Sequence, residues 1–199
     1  MTATVGIFVF ENVEVLDFAG PYEVFTTASR VHRRPHPSDS DPFKVFTIGR
    51  TDAPVRARAG LSVHPDYHFK NHPPIDILVI PGGVVTLELS EPEVVSWIAA
   101  SSRMSRLTAS VCTGAFLLAQ AGLLNGKSAT THWEDIEDLK RMFPSLNVQT
   151  GKRWVDEGAV VTSAGISAGI DMSLHLIERV AGRELAIRTA RQMEFDWVG

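Results

Sequence analysis

Two kinds of hydrophobic pattern alternate along this chain: short runs of consecutive apolar residues, and stretches in which apolar positions return every three or four residues. Val5-Gly6-Ile7-Phe8-Val9-Phe10 and Ile75-Asp76-Ile77-Leu78-Val79-Ile80 are of the first kind, the pattern of parallel strands covered on both faces. Phe43 to Ile48 and Leu107 to Val111 read as further strands, and Trp154 to Val161 as two short ones joined at Glu157-Gly158. Between them lie helices. Gly20-Pro21 is expected to open the first, with proline at the first helical position and Val24, Phe25, Ala28 and Val31 on one face. Glu91 to Ser101 forms another. Thr113 to Gly122 is apolar all round, so it reads as a buried helix capped by Gly122. Glu134 to Phe143 carries Ile136, Leu139 and Phe143 on one face. Ile170, Leu174, Ile177 and Ala181 mark the next helix, and Ala186, Ala190, Met193 and Trp197 the last.

Strands alternating with helices imply βαβ units, so the expected fold is α/β: a flavodoxin-like three-layer sandwich with a mostly parallel central sheet. His32 to Pro42, dense in Pro, Ser and Asp, reads as an exposed loop. No repeat, low-complexity tract or linker interrupts the pattern. Residues 1–199 are therefore expected to form one domain, which a length of 199 residues with 44% hydrophobic content can fill.

Composition narrows the function classes. A formal net charge of −4 gives no electrostatic reason to bind nucleic acid, and no apolar run is long enough to span a bilayer. Met1-Thr2-Ala3-Thr4 leads straight into a strand without a basic n-region, so a cytoplasmic location is expected. The single cysteine, Cys112, cannot form an intramolecular disulfide and suits a reducing compartment.

Three features converge on that cysteine. In Ser110-Val111-Cys112-Thr113-Gly114 an apolar strand runs into a nucleophile and then an apolar helix. Small residues two before and two after allow the sharp reversal of a nucleophile elbow. A helix N-terminus at the sulfur should favour the thiolate. A plain buried cysteine is the competing reading. The second feature is Asp17, flanked by Leu16 and Phe18, where an acid is costly to bury without a partner. It is either a cap for the helix near Pro21 or an acid facing Cys112 and sharing one proton with it. The third is Pro81-Gly82-Gly83 at a strand end, where glycine N–H groups, with that of Thr113, could form an oxyanion site.

His132 in Thr131-His132-Trp133 reads equally as a dyad partner for Cys112 and as a pocket-lining or structural histidine. The bend Gly165-Ile166-Ser167 reads as a tight helix entry and, through Ile166, a wall of the pocket. His64, His68 and His72 are spaced by four like helical metal ligands. Pro65 lies inside that series and Pro73-Pro74 follow it, so no metal site is expected and the histidines should be solvated.

Taken in order, Asp17, Pro81-Gly82-Gly83, Ser110 to Gly114, Ala129 to Trp133 and Gly165 to Asp171 resemble the ThiJ/PfpI superfamily of the class I glutamine amidotransferase-like fold. The resemblance runs from Val5 to about Ala181. Asp17 and Thr113 are similar to the pattern of its isonitrile hydratase branch. The peptidase branch has His after the cysteine, and the deglycase and chaperone branch has Glu and Ala at the two positions. Val84-Val85 and Ser163-Ala164-Gly165 depart from the hydratase pattern and bear on pocket shape. The resemblance implies a homodimer acting on a small molecule without a cofactor. Cys112 would attack the terminal carbon of an isocyanide, Asp17 would supply the proton, and water would release an N-substituted formamide. A ligand- or redox-sensing regulatory module and a deglycase or stress protein are the alternatives. Similar domains open some AraC-type regulators, but no room for a helix-turn-helix is seen after Trp197.

Overall fold

The computed structural model describes residues 2–35 and 37–197. The first half of the chain forms β1 (Ala3–Phe8), α1 (Val15–Arg33), β2 (Phe43–Gly49), β3 (Val55–Arg56), β4 (Ser62–Val63), β5 (Tyr67–His68), β6 (Ile77–Ile80), α2 (Thr86–Ser90) and α3 (Pro92–Met104). The second half forms β7 (Leu107–Val111), α4 (Gly114–Gln120), β8 (Ser128–Ala129), α5 (Ile136–Met142), β9 (Asn147–Val148), β10 (Trp154–Asp156), β11 (Val160–Ser163), α6 (Ala168–Ala181) and α7 (Arg183–Gln192).

The main sheet has the order β10-β11-β7-β6-β1-β2-β5, parallel throughout except where β10 pairs antiparallel with β11. Its five central strands, β2-β1-β6-β7-β11, reproduce the flavodoxin-like order, which reverses between β1 and β6. β1 and β6 carry the apolar runs, and β7 is buried throughout, because α1 and α6 cover these strands on one side and α4 on the other. Ligands of such sheets gather beyond the carboxyl ends of the strands at the reversal. The segments after β1, β6 and β7 hold Asp17, Gly82-Gly83 and Cys112. Among the described residues no helix is long and apolar enough to cross a membrane.

Several expectations need correction. α1 starts at Val15, so Pro21 lies inside it rather than opening it. The hydrogen bond that Pro21 cannot make is the one to Asp17, four residues earlier and still in the first turn. Asp17 is therefore part of the helix. The helix expected at Glu91 begins at Pro92 and is preceded by the separate α2, and α7 ends five residues before Trp197. The strands β3, β4, β5, β8 and β9, two residues each, are too short to leave a period in the sequence. Of the three spaced histidines only His64 is exposed. His72 is half-buried, accepting from the Trp97 indole N–H at 3.1 Å while its other nitrogen donates to the Pro73 carbonyl at 2.8 Å.

Candidate active site

β7 ends at Val111, and Cys112 turns the chain with a φ of +56°, a left-handed conformation for a non-glycine residue. The turn is held on three sides. The Cys112 N–H donates to the Ser163 carbonyl at 3.2 Å, and the Thr131 hydroxyl donates to the Cys112 carbonyl at 2.8 Å. Gly114 lets the new helix lie against β6: a Cβ there would sit 2.1 Å from the Ile80 carbonyl oxygen. Nothing larger fits. The strand, turn and helix of the elbow are thus formed as the spacing of Ser110, Cys112 and Gly114 suggested. Cys112 is 7% exposed, at the boundary between core and surface.

Asp17 is 0% exposed. It caps nothing: Glu14 occupies the N-cap position, and the Asp17 carboxyl turns inward. One oxygen, Oδ2, accepts from the Gly82 N–H at 3.1 Å, while among the described residues no well-aligned hydrogen bond reaches Oδ1, toward which the Cys112 thiol and the Ile166 N–H act only weakly. With no cation beside it, burial dominates and raises the carboxyl from the usual 3.8 to about 7, Glu14 adding to the effect. The Gly82 N–H, the Cys112 thiol and the Ile166 N–H oppose that rise without cancelling it.

The thiol moves the other way from expectation. Burial and the adjacent Asp17 push Cys112 up to about 12, and the Thr113 N–H only partly offsets them. A helix of seven residues supplies too little field at its N-terminus to win against loss of solvent. The two groups behave as one acid pair: the first proton leaves near 7 and the second near 12, so between those limits they hold a single proton.

Gly82, Gly83 and Thr113 lie where expected but do different work. The Gly82 N–H is committed to Asp17, and the Gly83 N–H donates to the Thr113 hydroxyl at 2.9 Å. That hydroxyl in turn donates to the Gly83 carbonyl at 2.9 Å, clamping the two loops together. Neither glycine N–H is free as an oxyanion donor. The Thr113 N–H is the one that faces the sulfur. The glycines are needed for packing. A Cβ on Gly82 would stand 2.6 Å from the Thr113 nitrogen, and one on Gly83 2.3 Å from the Asn12 carbonyl.

His132 and Ile166 lie on neighbouring segments that meet at Gly165. The His132 ring lies against Gly165, where a Cβ would come 2.0 Å from its Cδ2. Its Nδ1 accepts from the Glu134 N–H at 3.4 Å and stands 3.5 Å from Asp135 Oδ2. Among the described residues no hydrogen bond joins it to Cys112, so the structural reading of this histidine holds and the dyad is not formed. Ile166, with a φ of +52° and 39% exposed, is the apolar residue at the rim. Thr131, Glu14 and Asp135 also act on the pair and were not singled out from the sequence; only the adjacency of Thr131 to His132 could have flagged one of them. No group of three His, Cys, Asp or Glu residues that could hold a metal occurs among the described residues.

Comparison with known proteins agrees with this fold. The signature of the DJ-1/PfpI family matches residues 3–179. Isonitrile hydratase of Pseudomonas putida is 33% identical over 196 residues, covering 98% of this chain and 79% of that protein. The HTH-type transcriptional regulator GbdR of Pseudomonas aeruginosa is 31% identical over 183 residues, covering 92% of this chain. The chain spans 48% of that regulator's length. A crystal structure of a ThiJ/PfpI family protein from Pseudomonas syringae superposes with a TM-score of 0.85 at 26% identity, covering 98% of this chain and 76% of that one. With the fold, the elbow and a family signature spanning residues 3–179 in agreement, the chain belongs to the DJ-1/PfpI family.

Proposed function

We propose that this protein is a cysteine-dependent hydratase that adds water to an isocyanide, giving an N-substituted formamide. The observation that carries the proposal is the Asp17–Cys112 pair: a carboxyl fully buried without a cation partner, facing the elbow sulfur and raised to about 7. An isocyanide carbon is attacked by a nucleophile and then needs a proton, and such a pair supplies both. Sulfur forms a bond to the terminal carbon as Asp17 protonates that carbon, leaving a thioimidate and an Asp17 carboxylate. The carboxylate then takes a proton from water as the water oxygen attacks, and passes it to nitrogen. Collapse of the adduct expels the sulfur, and the hydroxyl proton returns to Asp17. One water is consumed and the starting pair is restored.

The similarity to isonitrile hydratase supports this reading. Ile166, Val84 and Trp133 are exposed apolar side chains on the segments around the elbow and suit the organic substituent of an isocyanide. The test is turnover of an isocyanide panel, followed by formamide appearance. Wild type should turn over, Cys112→Ala should be inactive, and Asp17→Asn should lose roughly 10²–10⁴-fold. Turnover that survives either substitution contradicts the role given to that residue.

A second reading, a ligand-sensing module, is favoured by one observation: the chain matches about half the length of helix-turn-helix regulators. It predicts saturable isocyanide or other ligand binding that Cys112→Ala retains, with no formamide formed by wild type.

A further inference from the structure

A second buried acid lies at the same edge of the sheet, outside the site just described. Glu88, in α2, is 8% exposed, and its Oε2 makes no hydrogen bond. It lines a cavity of about 140 Å³ beyond the ends of β1 and β2, with Phe8, Phe10 and Pro54 as apolar walls and Glu11 and Arg50 at the margin. Arg50 does not neutralise Glu88 directly, because its guanidinium pairs with Glu91 at 3.3 Å. Glu11 adds a second negative charge, and one of its oxygens is occupied by the Arg56 N–H at 3.1 Å. Burial raises the Glu88 carboxyl above its usual range, with Glu91 and Glu11 adding to the rise. Its own N–H and Arg50 oppose them.

An acid held in this way costs stability unless something donates to it. The inner walls are largely apolar and the two carboxylates outnumber Arg50 at the cavity, so the site suits a cation with N–H groups. Size limits it further: at about 30 Å³ for each water in the liquid, the space equals roughly four or five waters, enough for a cation of a few heavy atoms. We infer that this cavity is a binding site for a small organic cation carrying N–H donors, such as a short primary ammonium, held by Glu88 between Phe8, Phe10 and Pro54. A quaternary ammonium of similar size has the charge but cannot donate to Glu88 Oε2. The site is separate from Cys112, which lies beyond β7 rather than β1 and β2.

The experiment is calorimetric titration of the whole chain with ethylammonium chloride at constant ionic strength, beside tetramethylammonium chloride and ethanol. Backbone NMR shifts locate the contact. Saturable binding of ethylammonium is expected, with shifts at Phe8, Phe10 and Glu88. Tetramethylammonium and ethanol should bind at least tenfold more weakly. Glu88→Gln, which keeps the size of the side chain, should weaken ethylammonium at least tenfold, whereas Cys112→Ala should bind it as wild type does. Circular dichroism checks that Glu88→Gln is folded. If it is not, wild-type shifts confined to the cavity and the preference over tetramethylammonium decide alone. Absence of saturable binding, equal binding of tetramethylammonium, undiminished binding by a folded Glu88→Gln, or shifts centred on Cys112 would each overturn the assignment.

Discussion

Asp17, in the first turn of α1, and Asp156, at the end of β10, each meet a side chain able to share a proton: the Cys112 thiol in one case, the His175 imidazole in the other. Burial raises both carboxyls. Around Asp156 it is outweighed by the His175 contact at 2.7 Å, the Gly158 N–H at 2.7 Å and Arg179 at 3.0 Å, and the carboxyl ends below its usual 3.8. Around Asp17 no cation stands among the described residues, and the Gly82 and Ile166 N–H groups with the Cys112 thiol do not offset complete burial. One residue type thus serves as a charged clamp between α6 and the edge strand and as a buried acid of raised pKa beside the elbow cysteine. Partners and depth together decide which.

The comparison can be broken through the pH dependence of stability. Asp17 has a folded pKa raised to about 7 against an ordinary 3.8. Its contribution is intact below about pH 4 and is lost as pH rises through 7, by about 4 kcal/mol for a shift of roughly three units. Denaturant melts of wild type and Asp17→Asn should converge below that window, with the variant the more stable above pH 7. Equal stability of the two at pH 8 would show that Asp17 is not held as inferred. Glu88 acts with the same sign, so wild type retains some of this slope after Asp17 is replaced.

Asp156 has the opposite sign. Its lowered pKa gives stability that is present above about pH 4 and lost as pH falls through the folded value. Asp156→Ala should cost about 2 kcal/mol at neutral pH, the scale of hydrogen bonds to a charged group, and leave isocyanide turnover unchanged. A loss of turnover without a loss of stability would erase the distinction between the two aspartates.

Much of the arrangement around Cys112 can be read from sequence because its causes are local. Ser110 and Gly114 bracket Cys112, and an acid flanked by Leu16 and Phe18 drew notice to Asp17, although Leu16 itself faces solvent. The start of α1 was hidden because Pro21 carries a strong helix-start signal, while the residues that start the helix carry none. Gly82 and Gly83 invited an oxyanion reading, but whether a glycine N–H is free depends on contacts with Asp17 and Thr113 that are distant in the chain. The elevated thiol was missed for a related reason: a helix N-terminus can be counted along the sequence, and desolvation cannot. Glu88 was invisible altogether. Leu87-Glu88-Leu89-Ser90 looks like an exposed turn of helix, and only its placement across a cavity from the residues around the ends of β1 and β2 buries the acid.

The most direct test of the shared proton is an NMR titration of the Asp17 carboxyl carbon and the Cys112 β-carbon in wild type, repeated for Cys112 in Asp17→Asn. The account predicts a carboxyl that titrates near 7, a thiol pushed up to about 12, and a downward shift of that thiol once the carboxylate is gone. A carboxyl titrating near its ordinary 3.8, with a thiol indifferent to Asp17→Asn, would contradict it.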